Sequence, residues 1–179
     1  MVTSITINRA PVLTLWAVVV AERLGFDPDE ALTLGKAVAG LNAQAKGQRL
    51  GIFHPSKEKP AKARERGAGE TFLIELVGRP VPATSTADGI RATIKGKPIA
   101  PDSVTRYLEG KFGERLGAVR AAMDMLAQTF EPQQLEAKAY ALYEKFRPAI
   151  PEGKRGWGAQ GELDLDYVRS LASSQHSSP

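Results

Sequence analysis

The sequence predicts a mainly α protein: a helical pair at the N-terminus, followed by a helical bundle with a small β-hairpin or sheet element. Three observations predict it. An apolar run from Val12 to Ala21 is followed closely by a helix-start signal at Asp27. Apolar residues recur at three- and four-residue spacing through most of 101–146. Alternation of apolar and polar residues, bounded by turn-forming glycines and prolines, is concentrated in 71–95.

Ser4 to Ile7 alternates and suits a short strand. Pro11 fits the first turn of a helix, where its missing N–H costs nothing, and Gly25 is a natural stop just beyond Leu24. The apolar residues between them are not confined to one stripe, which predicts burial on most sides. The run covers about ten residues, whereas a helix needs roughly 20 to cross a bilayer. Glu22 and Arg23 follow it directly and leave no small-residue cleavage site, so it is expected to be a buried helix, neither a membrane anchor nor a signal peptide.

Asp27, Pro28 and Glu30 announce the second helix as cap, first residue and returning half of a capping box. Ala31, Leu34, Val38, Leu41 and Ala45 mark its inward face, and Gly47 is its expected end. Gly35 and Gly40 each cost roughly 1 kcal/mol relative to alanine; they either permit close approach of another backbone or are simply tolerated. Val18 to Leu34 resembles a helix-turn-helix unit, with Ala21, Gly25, Ala31 and Leu34 at its packing positions. A recognition helix offers its first residues to base edges. Here those residues are Asp27, Asp29 and Glu30, whose carboxylates repel phosphate, so the pair is expected to serve packing.

A Pro- and Gly-containing connection divides the chain into 1–50, a basic connection over 51–69, a sheet-plus-bundle region over 70–172 and a disordered tail over 173–179. Thr71 to Val77 is a strand bounded by Gly78 and Pro80. After the turn signal Asp88-Gly89, Ile90, Ala92 and Ile94 alternate with Arg91, Thr93 and Lys95, predicting a strand with a basic outer face. Val104, Leu108 and Phe112 mark one helix, and Leu116, Val119, Met123, Leu126 and Phe130 a second. Leu135, Ala139, Leu142 and Phe146 mark a third, opened by Pro132 and closed by Pro148; the three are expected to pack together. A last helix starts near Asp164, with Leu163 and Val168 spaced as a hydrophobic staple.

Catalytic chemistry finds little support. The absence of cysteine removes disulfides, thiolate metal sites and cysteine nucleophiles, and fits a cytoplasmic protein. The two histidines, His54 and His176, fall in segments without an orienting partner. Glu162, Asp164 and Asp166 lack the further oxygen ligands and closing glutamate of a calcium loop, and Asp164 suits a helix cap better. Neither a phosphate-binding G-x-x-x-x-G-K-[ST] run nor a strand-linked G-x-G-x-x-G run occurs. A non-enzymatic protein without cofactor or metal is therefore expected.

The formal charge is +4 and unevenly spread. Lys46, Arg49, Lys57, Lys59, Lys62, Arg64 and Arg66 stand against only Glu58 and Glu65, a local excess of the kind an anion-binding surface requires, although a solvated lysine-rich loop has the same composition. Two further basic places are Arg91, Lys95 and Lys97, continued by Arg106 and Lys111, and the loop Lys154-Arg155-Gly156-Trp157. In that loop glycine allows close backbone approach and tryptophan could stack on a base or tuck back into the fold. The favoured function is binding of nucleic acid, in particular double-stranded DNA, through phosphate contacts. The alternative is a non-catalytic interaction or scaffold module, homodimeric through its N-terminal helices.

Overall fold

The computed structural model describes residues 4–49, 71–94, 96–148 and 160–177, with side chains excepted at 43–49, 160 and 174–177. Its organising element is α1 (Arg9–Arg23), whose residues from Pro11 to Ala21 are all buried. A helix that is apolar on every side has no solvent face, so its neighbours must surround it. Its two polar side chains in the core have partners: the Thr14 hydroxyl donates to the carbonyl of Ala10 at 2.9 Å, and the Trp16 indole donates to that of Ala139 at 2.9 Å.

α2 (Pro28–Arg49) folds back against α1. It starts as expected: the Glu30 amide donates to Asp27 Oδ1 at 2.8 Å, and the Asp27 amide donates to Glu30 Oε1 at 3.1 Å. Gly35 faces α1 directly; a Cβ there would lie 2.5 Å from Val18 Cγ2 and 2.7 Å from the Thr14 carbonyl oxygen. Gly40, by contrast, faces open space. The helix runs through Gly47 to Arg49 rather than stopping at the glycine, because glycine lowers helix stability without forbidding helical backbone.

The antiparallel sheet has four strands in the order β2 (Thr71–Leu76), β3 (Arg79–Thr86), β4 (Gly89–Ile94) and β5 (Lys97–Pro98). β3 contains Pro80 and Pro82, residues that argue against a central strand. Both fall in the part of β3 that pairs with β2 alone; β4 pairs only from Ala83 onward. β2 and β3 are joined by Val77 and Gly78, both at positive φ (49° and 74°), as a tight hairpin turn requires. Val77 is β-branched and pays strain there, yet its side chain is fully buried.

β4 corrects one expectation. Arg91, Ala92 and Thr93 are all buried and Ile94 is 53% exposed, so the basic outer face is not formed at Arg91. Its guanidinium lies against the start of α2, 4.0 Å from Asp29, and donates to the carbonyls of Ile90 and Asp88. Packing of α2 on the sheet overrides simple alternation.

The remaining helices are α3 (Pro101–Phe112), α4 (Leu116–Gln128), α5 (Pro132–Phe146) and α6 (Leu165–Ser177), with a 3₁₀ turn at Gly113–Arg115. The inward residues named from sequence are buried, except Leu41 and Leu116, which are partly so. Ala45 lies among the undescribed side chains. α3, α4 and α5 each pack on α1, which offers apolar surface in every direction, and α3 also meets α4. Buried residues from both sides of 50–70 join one hydrophobic cluster. β1 (Ser4–Asn8) pairs antiparallel with β6 (Gln160–Asp164), Ile5 opposite Leu163. Asp164 then caps α6, accepting the amides of Asp166 and Tyr167 at 3.0 and 3.3 Å. No described helix is long and apolar enough to cross a membrane.

Candidate functional site

Three cationic side chains meet around two tyrosines, each brought there by the end of an element. Arg9 begins α1, Arg79 begins β3, and Arg147 follows α5. The Arg9 Nε donates to the carbonyl of Pro148 at 2.9 Å and so ties the start of α1 to the exit of α5. The Arg79 Nη2 donates to Asn42 Oδ1 at 2.7 Å, and the Tyr140 hydroxyl donates to the same oxygen at 3.2 Å. The guanidinium of Arg79 also sits 5.5 Å from the Tyr140 ring centre, and that of Arg147 lies 6.0 Å from the Tyr143 ring centre. The two rings are 5.9 Å apart, which makes the group continuous.

The group carries three guanidinium charges, none of them within ion-pairing distance of a carboxylate among the described residues. Among the described residues the ion pairs join Arg91 to Asp29, Arg120 to Glu22 and Asp124, and Arg169 to Asp166; none involves Arg9, Arg79 or Arg147. Burial lowers the Arg9 guanidinium from its ordinary value, and the nearby charge of Arg147 lowers it further, while Tyr143 and Tyr140 oppose the shift. Burial pushes the Tyr143 phenol up to about 12, against the pull of Arg147 and Arg9 and with Tyr140 and Glu144 adding to the rise. The Arg79 Nε is buried without a hydrogen-bond partner, an unfavourable state that Asn42 and the Tyr140 face only partly offset.

These groups are donors. Each guanidinium has five N–H bonds in a planar fork suited to phosphate or carboxylate, and few are used internally. A cleft of about 430 Å³ lies elsewhere, lined by Val19, Glu22, Arg23, Asp124, Ala127 and Gln128. Burial raises its Asp124 carboxyl, Arg120 opposes this and Glu22 adds to it; Arg120 bridges both carboxylates. Among the described residues no three acidic, histidine or cysteine side chains are grouped to hold a metal ion.

Most residues named from the sequence fall outside this description. Lys46 and Arg49 are in the last turns of α2, where only the backbone is described. Lys57, Lys59, Lys62, Arg64, Arg66, Lys95, Lys154, Arg155 and Trp157 lie outside the described residues. Lys97 is exposed on β5, and Arg91 is committed to Asp29 and backbone carbonyls. Sequence inspection missed Arg9, Asn42, Arg79, Tyr140, Tyr143 and Arg147. They are scattered singly, and the only hint was that each arginine stands within two residues of a proline: Arg9 before Pro11, Arg79 before Pro80, Arg147 before Pro148. No family model matches the chain, and neither a curated protein nor a solved structure is found similar to it.

Proposed function

We propose that the protein binds nucleic acid, with duplex DNA as its preferred form, through contacts to the phosphate backbone. The observation that carries this is the cluster of Arg9, Arg79 and Arg147 around Tyr140 and Tyr143, none of whose arginines forms an ion pair among the described residues. Arginine forks are donors that phosphate oxygens accept from, and the two rings hold them in place. The chain supports a polymeric ligand over a small one. The basic stretch beginning at Lys46 starts four residues after Asn42, and Lys154 and Arg155 follow Arg147 by less than ten. Such a string can neutralise several phosphates in succession.

The alternative, an interaction module dimerising through its N-terminal helices, gains no support from α1, whose apolar surface is covered within its own chain. The test is titration of labelled duplex and single-stranded DNA at two salt concentrations. Binding at low salt that falls steeply as salt rises is expected. Absence of affinity for either form at low salt overturns the proposal.

A further inference from the structure

A second cationic arrangement lies where α2 meets α3. The Lys36 ammonium sits 3.8 Å from the centre of the Tyr107 ring, and that of Lys111 sits 6.0 Å from the same centre. The ring is an anchored platform: burial raises the Tyr107 phenol from its ordinary value, with a hydrogen bond to Thr14 of α1 opposing the shift. Neither lysine pairs with a carboxylate among the described residues. Two ammonium groups sharing one ring repel each other, and the π face offsets only part of that cost. Burial lowers the Lys36 ammonium from its ordinary value, and Lys111 lowers it further. Along α2, Lys36 is six residues from Asn42, a rotation of about 240° at 3.6 residues per turn, so the two groups occupy different faces of that helix.

We propose that Lys36 and Lys111, both set against Tyr107, form a second anion subsite, one that takes a phosphate group within reach of both ammoniums. The phosphate belongs either to a small phosphorylated compound or to a nucleic-acid backbone; the chemistry is the same. Placing a negative charge there turns mutual repulsion into two charge-assisted contacts. The subsite does not rest on the arginine cluster, with which it shares no residue.

The full chain, with lysine side chains isotopically labelled, is titrated by NMR with inorganic pyrophosphate, with a short thymidine oligonucleotide, and with sodium chloride at matched ionic strength. Either phosphate ligand is expected to raise the apparent pKa of Lys36 by about one unit, equivalent to about tenfold tighter binding to the protonated form. Response to pyrophosphate identifies a small ligand, and response to the oligonucleotide alone identifies the polymer. Lys111→Met should abolish the response while raising the Lys36 pKa in the free protein; Tyr107→Phe, which keeps the ring, should preserve it. Lack of response to both ligands, an equal response to sodium chloride, or an undiminished response in Lys111→Met overturns the subsite. Loss of duplex binding in Arg79→Ala with the Lys36 response intact separates this subsite from the arginine cluster.

Discussion

Thr33 of α2 accepts the backbone N–H of Ala92 in β4 through its hydroxyl oxygen at 3.0 Å. One helical turn earlier, Glu30 Oε2 accepts the N–H of Ile90 at 2.9 Å while its Oε1 closes the capping box. Residues three apart on a helix thereby satisfy amides two apart on a strand. β4 has β3 on one side and meets β5 only at Thr93 and Ile94, so α2 side chains stand in for a missing strand over 90–92. A buried amide left without a partner costs about 1–3 kcal/mol. Thr33→Val, which keeps the shape and removes the oxygen, should lower stability by about that amount and speed hydrogen exchange at Ala92. Thr33→Ser should retain most of the stability; equal stability of valine and native proteins in denaturant titration would show that the tie contributes nothing.

The two glycines of α2 should respond to alanine with opposite signs. At Gly35 the new methyl group meets Val18 and the Thr14 carbonyl oxygen, and the backbone atom cannot rotate away. Overpacking of this kind costs about 1–3 kcal/mol. At Gly40 the methyl meets nothing, so Gly40→Ala should gain up to about 1 kcal/mol from helix propensity alone. Thermal melts of the two variants check both signs in one experiment.

The same residues show what was legible in the sequence. The start of α2 was readable because Asp27, Pro28 and Glu30 act locally. So was the burial of α1, since an apolar run with no polar stripe leaves no alternative. β3 was not readable, because Pro80 and Pro82 hide a strand whose tolerance for them depends on where β4 begins pairing. β6 was hidden differently: Glu162 and Asp164 are the exposed positions of a strand whose buried ones are Gly161 and Leu163, and its partner is 156 residues away. The arginine cluster was illegible for a related reason. Charge density along the chain drew attention to Lys46–Arg66, whereas Arg9, Arg79 and Arg147 converge only through tertiary structure.

Alkaline pH should expose the burial of Tyr143. Its phenol is raised from 10.0 to about 12 in the folded protein. Between these values the unfolded chain has released the proton that the folded protein still binds, so the stability contributed is full below pH 10 and is lost as pH climbs toward 12. A two-unit difference corresponds to a few kcal/mol, about 1.4 per unit. Tyr107 shifts in the same direction and adds to the loss; Lys36, lowered from its ordinary value, gives a gain as pH rises. Tyr143→Phe should therefore flatten the fall in melting temperature between pH 9 and pH 11.5. A fall as steep as that of the native protein would mean that Tyr143 is solvated.

Salt dependence of DNA binding should separate the arginine cluster from the basic segment. Each phosphate neutralised on duplex DNA adds roughly 0.9 to the slope of log affinity against log salt. Arg79→Ala removes a cation but also leaves Asn42 Oδ1 with Tyr140 as its remaining donor, so its stability must be measured alongside binding. Arg147→Ala is the cleaner probe, because that side chain rests on the Tyr143 face. It should weaken duplex binding across unrelated sequences and lower the slope by about one phosphate, roughly 0.9. Charge reversal at Lys57, Lys59 and Lys62 should weaken binding further and flatten the slope by more than one phosphate. Trp157→Ala should change affinity with little effect on the slope if that ring stacks on a base or wedges a groove. Should the lysine reversal leave the slope unchanged while Arg147→Ala lowers it, the contact is confined to the arginine cluster, and the stretch from Lys46 to Arg66 is a solvated connection.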